Sequence, residues 1–193
     1  MNARKVWIYD TTLRDGAQGE GVSFSADAKV RLAQRLDEFG IDFIEGGFPG
    51  SNPKDMAFFR QMKAVELSHA RVVTFGSTRR ARRPVGDDPL VGSLLDAGTD
   101  VVTIYGKAWQ LHVRDVLRAS EEENIAMIRD TVRFLKENGK QVFFDAEHFF
   151  DGYKDAPESA MSVLQCAAGA GADALVLCDT NGGCLPHEIR AVT

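Results

Sequence analysis

The stretch IYDTTLRDGAQ, residues 8–18, begins as a short apolar run and ends in a polar turn that places Arg14 beside Asp15. Between this run and later ones lie stretches whose apolar residues recur every three or four positions, which is the spacing of an amphipathic helix. The chain therefore predicts six alternating strand and helix units. The apolar runs lie at residues 6–9, 42–45, 72–75, 101–105, 142–145 and 174–178.

Strands that are apolar along most of their length and alternate with helices are typical of a parallel sheet covered by helices. A closed barrel and an open doubly wound sheet both meet this description. Polar residues follow several of the runs, and in a barrel the strand ends converge on one mouth. We therefore predict a (β/α)8 TIM barrel, of which this chain is an incomplete N-terminal portion of about six units, with an open six-stranded sheet as the alternative. The polar residues at strand ends are Arg14, Asp15, Glu45, Glu147, Asp179 and Thr180.

The composition is that of an ordinary globular protein, with 44% hydrophobic and 26% charged residues in 193. A net charge of -5 gives no field that would attract nucleic acid, so no nucleic-acid partner is expected. No apolar run approaches the roughly 18 residues that a membrane span needs, and the first residues contain no apolar signal core. We expect a cytoplasmic protein without a membrane partner. Three cysteines without CxxC spacing predict free thiols rather than disulfides or a structural zinc site.

Three motifs resemble the acyl-CoA-condensing branch of the metal-dependent lyase and synthase barrels: DTTLRDGAQ (10–18), DFIEGGFPGSNPKD (42–55) and LCDTNGG (177–183). That branch contains the 2-isopropylmalate, homocitrate and citramalate synthases. The stretches GAQGEGVSFS (16–25) and IEGGFPGSNPKD (44–55) resemble the citramalate synthases most. The resemblance implies a homodimeric acyltransferase that condenses acetyl-CoA with pyruvate to give citramalate and CoA. Its small-molecule partners would be acetyl-CoA and a 2-keto acid.

The resemblance also implies roles for individual residues. Asp15 would be a carboxylate ligand of a divalent metal, Mg²⁺ or Mn²⁺ with Zn²⁺ as a further option. Arg14 would stabilise negative charge on the keto-acid or enolate oxygen, and Gln18 would orient the two. Glu147 would be catalytic as well as substrate-binding. For Glu45, lining the mouth and pairing with Arg14 are both open. The substrate-binding set is Arg14, Gln18, Glu45, Glu147 and Thr180.

The sequence departs from the family pattern at the metal site. The family supplies two further ligands from a His-x-His motif on the seventh strand, and no such motif occurs among the isolated histidines here. We therefore expect that strands seven and eight and any regulatory domain lie outside residues 1–193. We expect this chain alone to be inactive and to bind little metal. The four histidines are His69, His112, His148 and His187.

Other functions stay open at this point. Synthesis of isopropylmalate or homocitrate differs only in the side chain of the keto acid, and the lyase branch cleaves a hydroxyacyl-CoA instead. An inactive fragment that binds only a partner is the non-enzymatic alternative. The arginine-rich stretch STRRARRP, residues 77–84, is either a solvated loop or an attractor of an anionic CoA phosphate.

Overall fold

A computed structural model describes residues 5–193. The strands alternate with helices along the whole of that range. The strands are β1 (Tyr9–Asp10), β2 (Phe43–Gly47), β3 (Arg71–Ser77), β4 (Val101–Lys107), β5 (Gln141–Glu147) and β6 (Ala174–Leu177). The helices are α1 (Ala26–Phe39), α2 (Pro53–Met62), α3 (Pro89–Asp96), α4 (Gln110–His112), α5 (Glu121–Glu137), α6 (Phe149–Asp155), α7 (Pro157–Ala170) and α8 (Pro186–Val192). Short 3₁₀ turns lie at Gly16–Gln18 and Val85–Asp87, and a π turn at Val113–Leu117 follows α4.

The strands form one sheet in the order β1-β2-β3-β4-β5-β6. The pairs β1 with β2, β2 with β3 and β5 with β6 are parallel. Each strand therefore lies beside the one that precedes it in the chain, whereas a doubly wound sheet reverses its order at a switch point. This order confirms the prediction of an incomplete (β/α) barrel and excludes the open doubly wound alternative.

The chain divides into two compact units. The first contains the chain up to Gly76 together with Gly92–Val102, and the second contains Ser77–Val91 and Thr103–Thr193. No helix in residues 5–193 combines the length and the apolar content that crossing a membrane requires. The three cysteines are free thiols, as predicted.

The core of the first unit lies between β2 and the helices α1 and α2. Helix α1 begins after Ser25, whose hydroxyl accepts from Ala28 N–H at 3.1 Å, and ends at Gly40 with a left-handed φ of 91°. The sequence predicts a helix that Ser25 opens and Gly40 stops, and the structure confirms both ends. The helical spacing of the apolar residues also predicts that Phe39 is buried, but it is 83% exposed. The buried apolar residues are Leu13, Ala33, Ile41, Ile44, Phe58, Phe59, Met62, Ala70 and Ala97.

Asp37 ties α1 to the loop before β3. Its carboxylate accepts the backbone N–H groups of Ser68, His69 and Ala70 at 2.8, 2.8 and 2.6 Å and also accepts the Ser68 hydroxyl. Burial alone would raise the pKa of Asp37, but hydrogen bonds from Ala70, Ser68 and His69 outweigh it and hold the pKa far below its ordinary value.

Replacing Asp37 by alanine is expected to lower the free energy of unfolding by about 2–3 kcal/mol at neutral pH, because it leaves buried N–H groups without an acceptor. A depressed folded-state pKa stabilises the fold fully above the unfolded value of about 4, and this contribution is lost as the pH falls further. Urea unfolding at several pH values measures the effect. A difference between the two proteins that stays constant down to acid pH would contradict the assignment.

The second unit packs α5 against α7. The sequence predicts these helices at about residues 121–137 and 157–170, and the structure confirms both ranges. Ser120 caps α5 by accepting from Glu123 N–H at 3.2 Å, and Pro157 begins α7. The sequence did not predict α6, because this helix starts directly after β5 at His148, whose side chain does not cap it. The buried apolar residues of α5 are Met127, Ile128, Val132 and Leu135.

Two element boundaries and the burial near Cys178 differ from the prediction. Strand β1 begins at Tyr9 rather than residue 6, and the preceding residues 6–8 are exposed. Helix α2 ends at Met62, before the expected Val65. Strand β6 is only half-buried. The apolar surroundings of Cys178 predict a buried packing residue, but its side chain is partly exposed. Because β6 is the last strand of the order and pairs with β5, it has a neighbour on one side within residues 5–193.

The arginine-rich loop is not merely solvated. Arg79 is 6% exposed, and its guanidinium donates to Asp130 at 2.8 and 3.0 Å and to Glu123 at 2.8 Å. Its backbone N–H donates to Thr131 Oγ1 at 2.9 Å. Burial would lower the pKa of Arg79, but the hydrogen bonds to these carboxylates raise it, so the buried side chain stays charged. Arg79 therefore anchors the loop to α5.

Candidate active site

The turn after β1 is built by short-range hydrogen bonds. Asp10 accepts the backbone N–H of Thr12 at 2.9 Å and its hydroxyl at 3.0 Å. The carbonyl of Thr11 accepts the N–H groups of Arg14 and Gly16, each at 3.1 Å. Polar residues at a strand end thus fold the chain back on itself, and this fixes the backbone from which Arg14 projects.

The Arg14 guanidinium is held on three sides. Its Nε donates to Glu45 Oε1 at 2.5 Å, and its Nη1 donates to Asp15 Oδ1 at 3.0 Å. Its carbon Cζ lies 3.7 Å from the centre of the Phe75 ring, which is a cation–π contact. Its Nη2 has no acceptor within residues 5–193. The group is therefore a preoriented cation with N–H donors left for a ligand.

Glu45, the ion-pair partner of Arg14, is fully buried. Besides Arg14 it accepts the Tyr9 hydroxyl at 2.5 Å. Burial raises the pKa of Glu45, although Arg14 and the Tyr9 hydrogen bond oppose the shift. Of the two roles that the sequence left open for Glu45, pairing with Arg14 is the one that the structure displays. Its direct contact with substrate stays a prediction.

Asp15 and Gln18 lie beside this cation on the more open side. The Asp15 side chain is 63% exposed, and the backbone N–H of Gln18 donates to the Asp15 carbonyl at 2.9 Å. Gln18 and Arg14 line a cleft of about 190 Å³ in the first unit. The cleft is also lined by Phe48 and Phe75 and by the cations Lys29 and Lys54, so it combines aromatic walls with several positive charges. Whether Gln18 orients the Arg14–Asp15 pair through its side chain stays a prediction.

The described residues do not by themselves fit a complete divalent-metal site. Nowhere in residues 5–193 do three His, Cys, Asp or Glu side chains come together as metal ligands. Asp15 offers one accessible carboxylate, but it is occupied by Arg14. A hard cation takes six or more oxygen or imidazole ligands, including waters, so a single protein carboxylate makes a weak site. Asp15 can therefore serve as one ligand of a larger set.

Glu147 and Thr180 lie in the second unit, at the ends of β5 and β6. Glu147 Oε2 is ion-paired with Nζ of Lys107, the last residue of β4. The backbone N–H of His148 donates to Thr180 Oγ1 at 2.8 Å, and this bond links the two strand ends. The adjacent N–H of Phe149 donates to the Cys178 carbonyl at 3.1 Å. Both predicted residues therefore occupy the polar ends of their strands.

Lys107 is the ion-pair partner of Glu147, and the sequence did not predict this contact. Thr103, Tyr105 and Lys107 alternate along β4 with Val102, Ile104 and Gly106. This period of two indicates that one face of the strand is polar and ends in a lysine. The same alternation ends in Glu147 on β5. The alternation on β4 could have indicated Lys107, but the strand is mostly apolar, and this obscured the pattern.

His148 holds the loop after β5 in an uncommon conformation. Its φ is 56°, and its ring Nδ1 lies 3.1 Å from Asp151 Oδ2. Asp151 also accepts from Asn181 Nδ2 at 2.9 Å. The ring of His112 lies 4.2 Å from that of His148, and burial, followed by the neighbouring His148 and Lys107, lowers the pKa of His112. His148 is thus a packed residue that shapes the loop beside Thr180.

The strands lie in the order of the chain, and charged residues lie at their carboxyl ends. This arrangement defines the class of (β/α)-barrel proteins. The family model described as HMGL-like matches residues 5–193, and the chain belongs to the HMGL-like family.

The chain is also similar to individual curated members of this family. The chain is 58% identical to an (R)-citramalate synthase of Aquifex aeolicus over 191 residues, which cover 99% of this chain and 36% of the relative. It is 52% identical to an (R)-citramalate synthase of Synechocystis, over 97% of this chain and 34% of the relative. Homocitrate synthase AksA of Methanopyrus kandleri is 37% identical, over 96% of this chain and 44% of the relative. The chain thus spans about a third of the length of the citramalate synthases that it matches.

Solved structures with low sequence identity show the same fold. A Bacillus subtilis HMG-CoA lyase aligns with a TM-score of 0.77 at 17% identity, over 97% of this chain and 62% of that one. The Pseudomonas aeruginosa hydroxymethylglutaryl-CoA lyase gives 0.77 at 18% identity, with the same two coverages.

Proposed function

We propose that the protein carrying this sequence condenses acetyl-CoA with pyruvate to give citramalate and CoA. The observation that carries this proposal is the 58% identity to a named (R)-citramalate synthase over 99% of the chain. The homocitrate synthase and 2-isopropylmalate synthase relatives are 37% and 32% identical to the chain. They therefore give less support to a reaction with a keto acid other than pyruvate.

The fixed guanidinium of Arg14 is suited to stabilise the negative charge that develops on oxygen in this reaction. In the condensation a base removes a methyl proton of acetyl-CoA, and the resulting enolate forms a bond to the carbonyl carbon of the keto acid. The carbonyl oxygen becomes an alkoxide and then takes up a proton, and water cleaves the thioester to release CoA. A cation that is already fixed by Glu45 and Phe75 stabilises such an oxyanion without having to reorganise.

We propose the remaining predicted roles on the same basis. Glu147 and Thr180 act as substrate-binding groups, and Glu147 is a candidate base, directly or through one water. The family implies a divalent metal, for which Asp15 would supply one ligand and which we propose to be Mg²⁺ or Mn²⁺. The barrel domain to which residues 1–193 contribute is proposed to continue beyond them, in line with the length of the relatives. The homodimer and the cytoplasmic location stay predictions.

A hybrid enzyme tests the proposed reaction. Residues 1–193 replace the equivalent segment of the 58% identical Aquifex aeolicus relative, and CoA release is followed with a thiol reagent in the presence of Mn²⁺. We expect release with acetyl-CoA and pyruvate and much less with 2-oxoisovalerate or 2-oxoglutarate. A preference for either bulkier keto acid would move the assignment to another synthase. Cleavage of a hydroxyacyl-CoA without any condensation would move it to the lyases. The unaltered relative is the control.

The metal assignment has its own test. Replacing Asp15 by asparagine in the hybrid is expected to lower Mn²⁺-dependent turnover at least about 10²-fold, because the site loses its one anionic ligand from this segment. The 193-residue chain alone is expected to bind Mn²⁺ weakly in calorimetry. Unchanged turnover of the variant, or tight stoichiometric binding by the chain alone, would contradict the assignment. Exchange of the exposed Asp27 on α1 for asparagine is the matched control.

A further inference from the structure

The ends of β4 and β5 bring a lysine and a glutamate together on one polar face. Towards the end of both strands buried and half-buried residues alternate, with Gly106 and Ala146 buried directly before the two charged residues. Lys107 and Glu147 end the two polar faces, and the backbone N–H of Ala108 donates to the Glu147 carbonyl at 3.0 Å, which aligns the two ends. The pair thus lies at the carboxyl end of the strands, where barrels of this kind bind ligands.

The Lys107 ammonium is constrained but not saturated. Its side chain is 12% exposed and ion-paired with Glu147. Its Nζ lies 5.5 Å from the centre of the Tyr105 ring, and the Asn124 side-chain amide fixes its carbonyl at 2.9 Å. An ammonium group has three protons to donate. Glu147 takes one of them, and residues 5–193 provide no acceptor for the other two. These protons are available to an acceptor on a ligand.

The charge of the ligand explains why a cation is needed at this position. A 2-keto acid is an anion, and Glu147, its proposed contact, is a carboxylate. Two like charges within a few ångströms repel, and the repulsion is stronger in a partly buried site than in water. A cation that is ion-paired with Glu147 and can donate further hydrogen bonds to the ligand offsets this repulsion.

We propose that Lys107 is a substrate-binding residue whose ammonium group donates to a carboxylate oxygen of the anionic keto acid and so allows that anion to lie beside Glu147. The proposal rests on the proposed function and adds to it a residue for which no role was predicted. Glu147 then acts on Lys107 as well as on the substrate, because it holds the ammonium group in position. Charge-assisted hydrogen bonds of this kind give both affinity and orientation.

Steady-state kinetics of the hybrid enzyme test the proposal. Lys107→Met is expected to raise the KM for pyruvate at least about tenfold and to change the KM for acetyl-CoA less than about twofold. Lys107→Arg should recover most of the loss, because it restores the charge. In a Glu147→Gln background the same Lys107→Met exchange should cost less, since the carboxylate that Lys107 neutralises is gone. Lys154→Met, at a half-exposed lysine paired with Glu188, is the matched control and should leave both KM values unchanged.

Equal changes in both KM values, or a loss in kcat alone, would overturn the proposal and leave Lys107 as a structural partner of Glu147. A second measurement does not depend on turnover. In the 193-residue chain the ¹⁵Nζ resonance of Lys107, assigned with Lys107→Arg, should shift on titration with pyruvate but not with methyl pyruvate, which has no charge. Equal responses to the two compounds would also overturn it. An inactive unmodified hybrid would count against the proposed function, whereas an active hybrid that is insensitive to Lys107→Met would count against this inference only.

Discussion

Replacing Arg14 by alanine in the hybrid enzyme is expected to lower turnover by about 10²- to 10³-fold, which corresponds to roughly 3–4 kcal/mol of transition-state stabilisation. The reason is geometric. Glu45, Asp15 and Phe75 hold the guanidinium in place and leave its Nη2 group to a ligand. CoA release at saturating substrate measures the effect. A drop of less than about tenfold, or roughly 1.4 kcal/mol, would argue against a role for Arg14 in the transition state.

The Arg14 exchange needs a control for folding, because it leaves the fully buried Glu45 with Tyr9 as its remaining hydrogen-bond partner within residues 5–193. A buried group whose folded-state pKa is raised costs stability as the pH rises through that pKa, since the folded protein must then hold the charge. The double variant Arg14→Ala, Glu45→Gln removes this cost. It should regain thermal stability but not turnover, and recovery of both would assign Arg14 a structural role only.

The second large effect is expected in the core of the first unit, where Lys29→Met should lower the free energy of unfolding by about 3–5 kcal/mol. Lys29 is 4% exposed, and its Nζ donates to Asp55 Oδ1 at 2.5 Å and to the Gly46 carbonyl at 3.0 Å. Asp55 also accepts the Phe48 N–H at 2.8 Å. Methionine retains the length of the side chain but leaves the Asp55 carboxylate in the core without a cation.

Urea unfolding of the 193-residue chain measures this loss. The double variant Lys29→Met, Asp55→Asn should be less destabilised than Lys29→Met alone, because no uncompensated charge remains. The surface pair of Arg35 and Glu38 provides the contrast, since both side chains are more than half exposed and Arg35→Ala should change stability by less than about 1 kcal/mol. A Lys29→Met effect as small as that of Arg35→Ala would contradict the assignment.

This buried pair also connects stability to the candidate site. The carboxylate of Asp55 lies against Gly47, where a Cβ atom would come within 2.4 Å of Asp55 Cγ. Gly47 has a φ of 154°, so the end of β2 combines a close approach with a backbone conformation that suits glycine. Lys29 and Asp55 also line the cleft beside Arg14. A loss of the pair is therefore expected to loosen one wall of that cleft.

The sequence predicted most of the fold because its decisive signals are local. Helices α1 and α5 begin after serine caps, and α7 begins at a proline, so their bounds follow from short-range chemistry. Helix α6 was missed because a left-handed His148 begins it and no side chain caps it. Phe39 was misplaced because helical spacing alone does not show that Asp37 occupies the buried face.

The sequence predicted the site residues that lie within motifs. It did not predict contacts between residues that are distant in the sequence. Arg14, Asp15 and Thr180 lie in the quoted motifs, and the structure places each of them after a strand, whereas Glu147 is the last residue of β5. The partner of Glu147 is 40 residues away on another strand, so only the register of the two strands reveals it. Arg79 is likewise one of four arginines in a short charged run, and its partners on α5 lie 44 and 51 residues further along the chain.

The buried position of Arg79 alters how the arginine-rich loop interacts with molecules in solution. Charge counted along the chain overstates the attraction of this loop for polyanions, since Arg79 is neutralised internally and only Arg80, Arg82 and Arg83 face the solvent. The rate at which an anionic ligand associates through electrostatic steering depends on the exposed charge and falls with ionic strength. Any capture of anions by this loop should therefore show the shallow salt dependence of three cations rather than the steeper dependence of four.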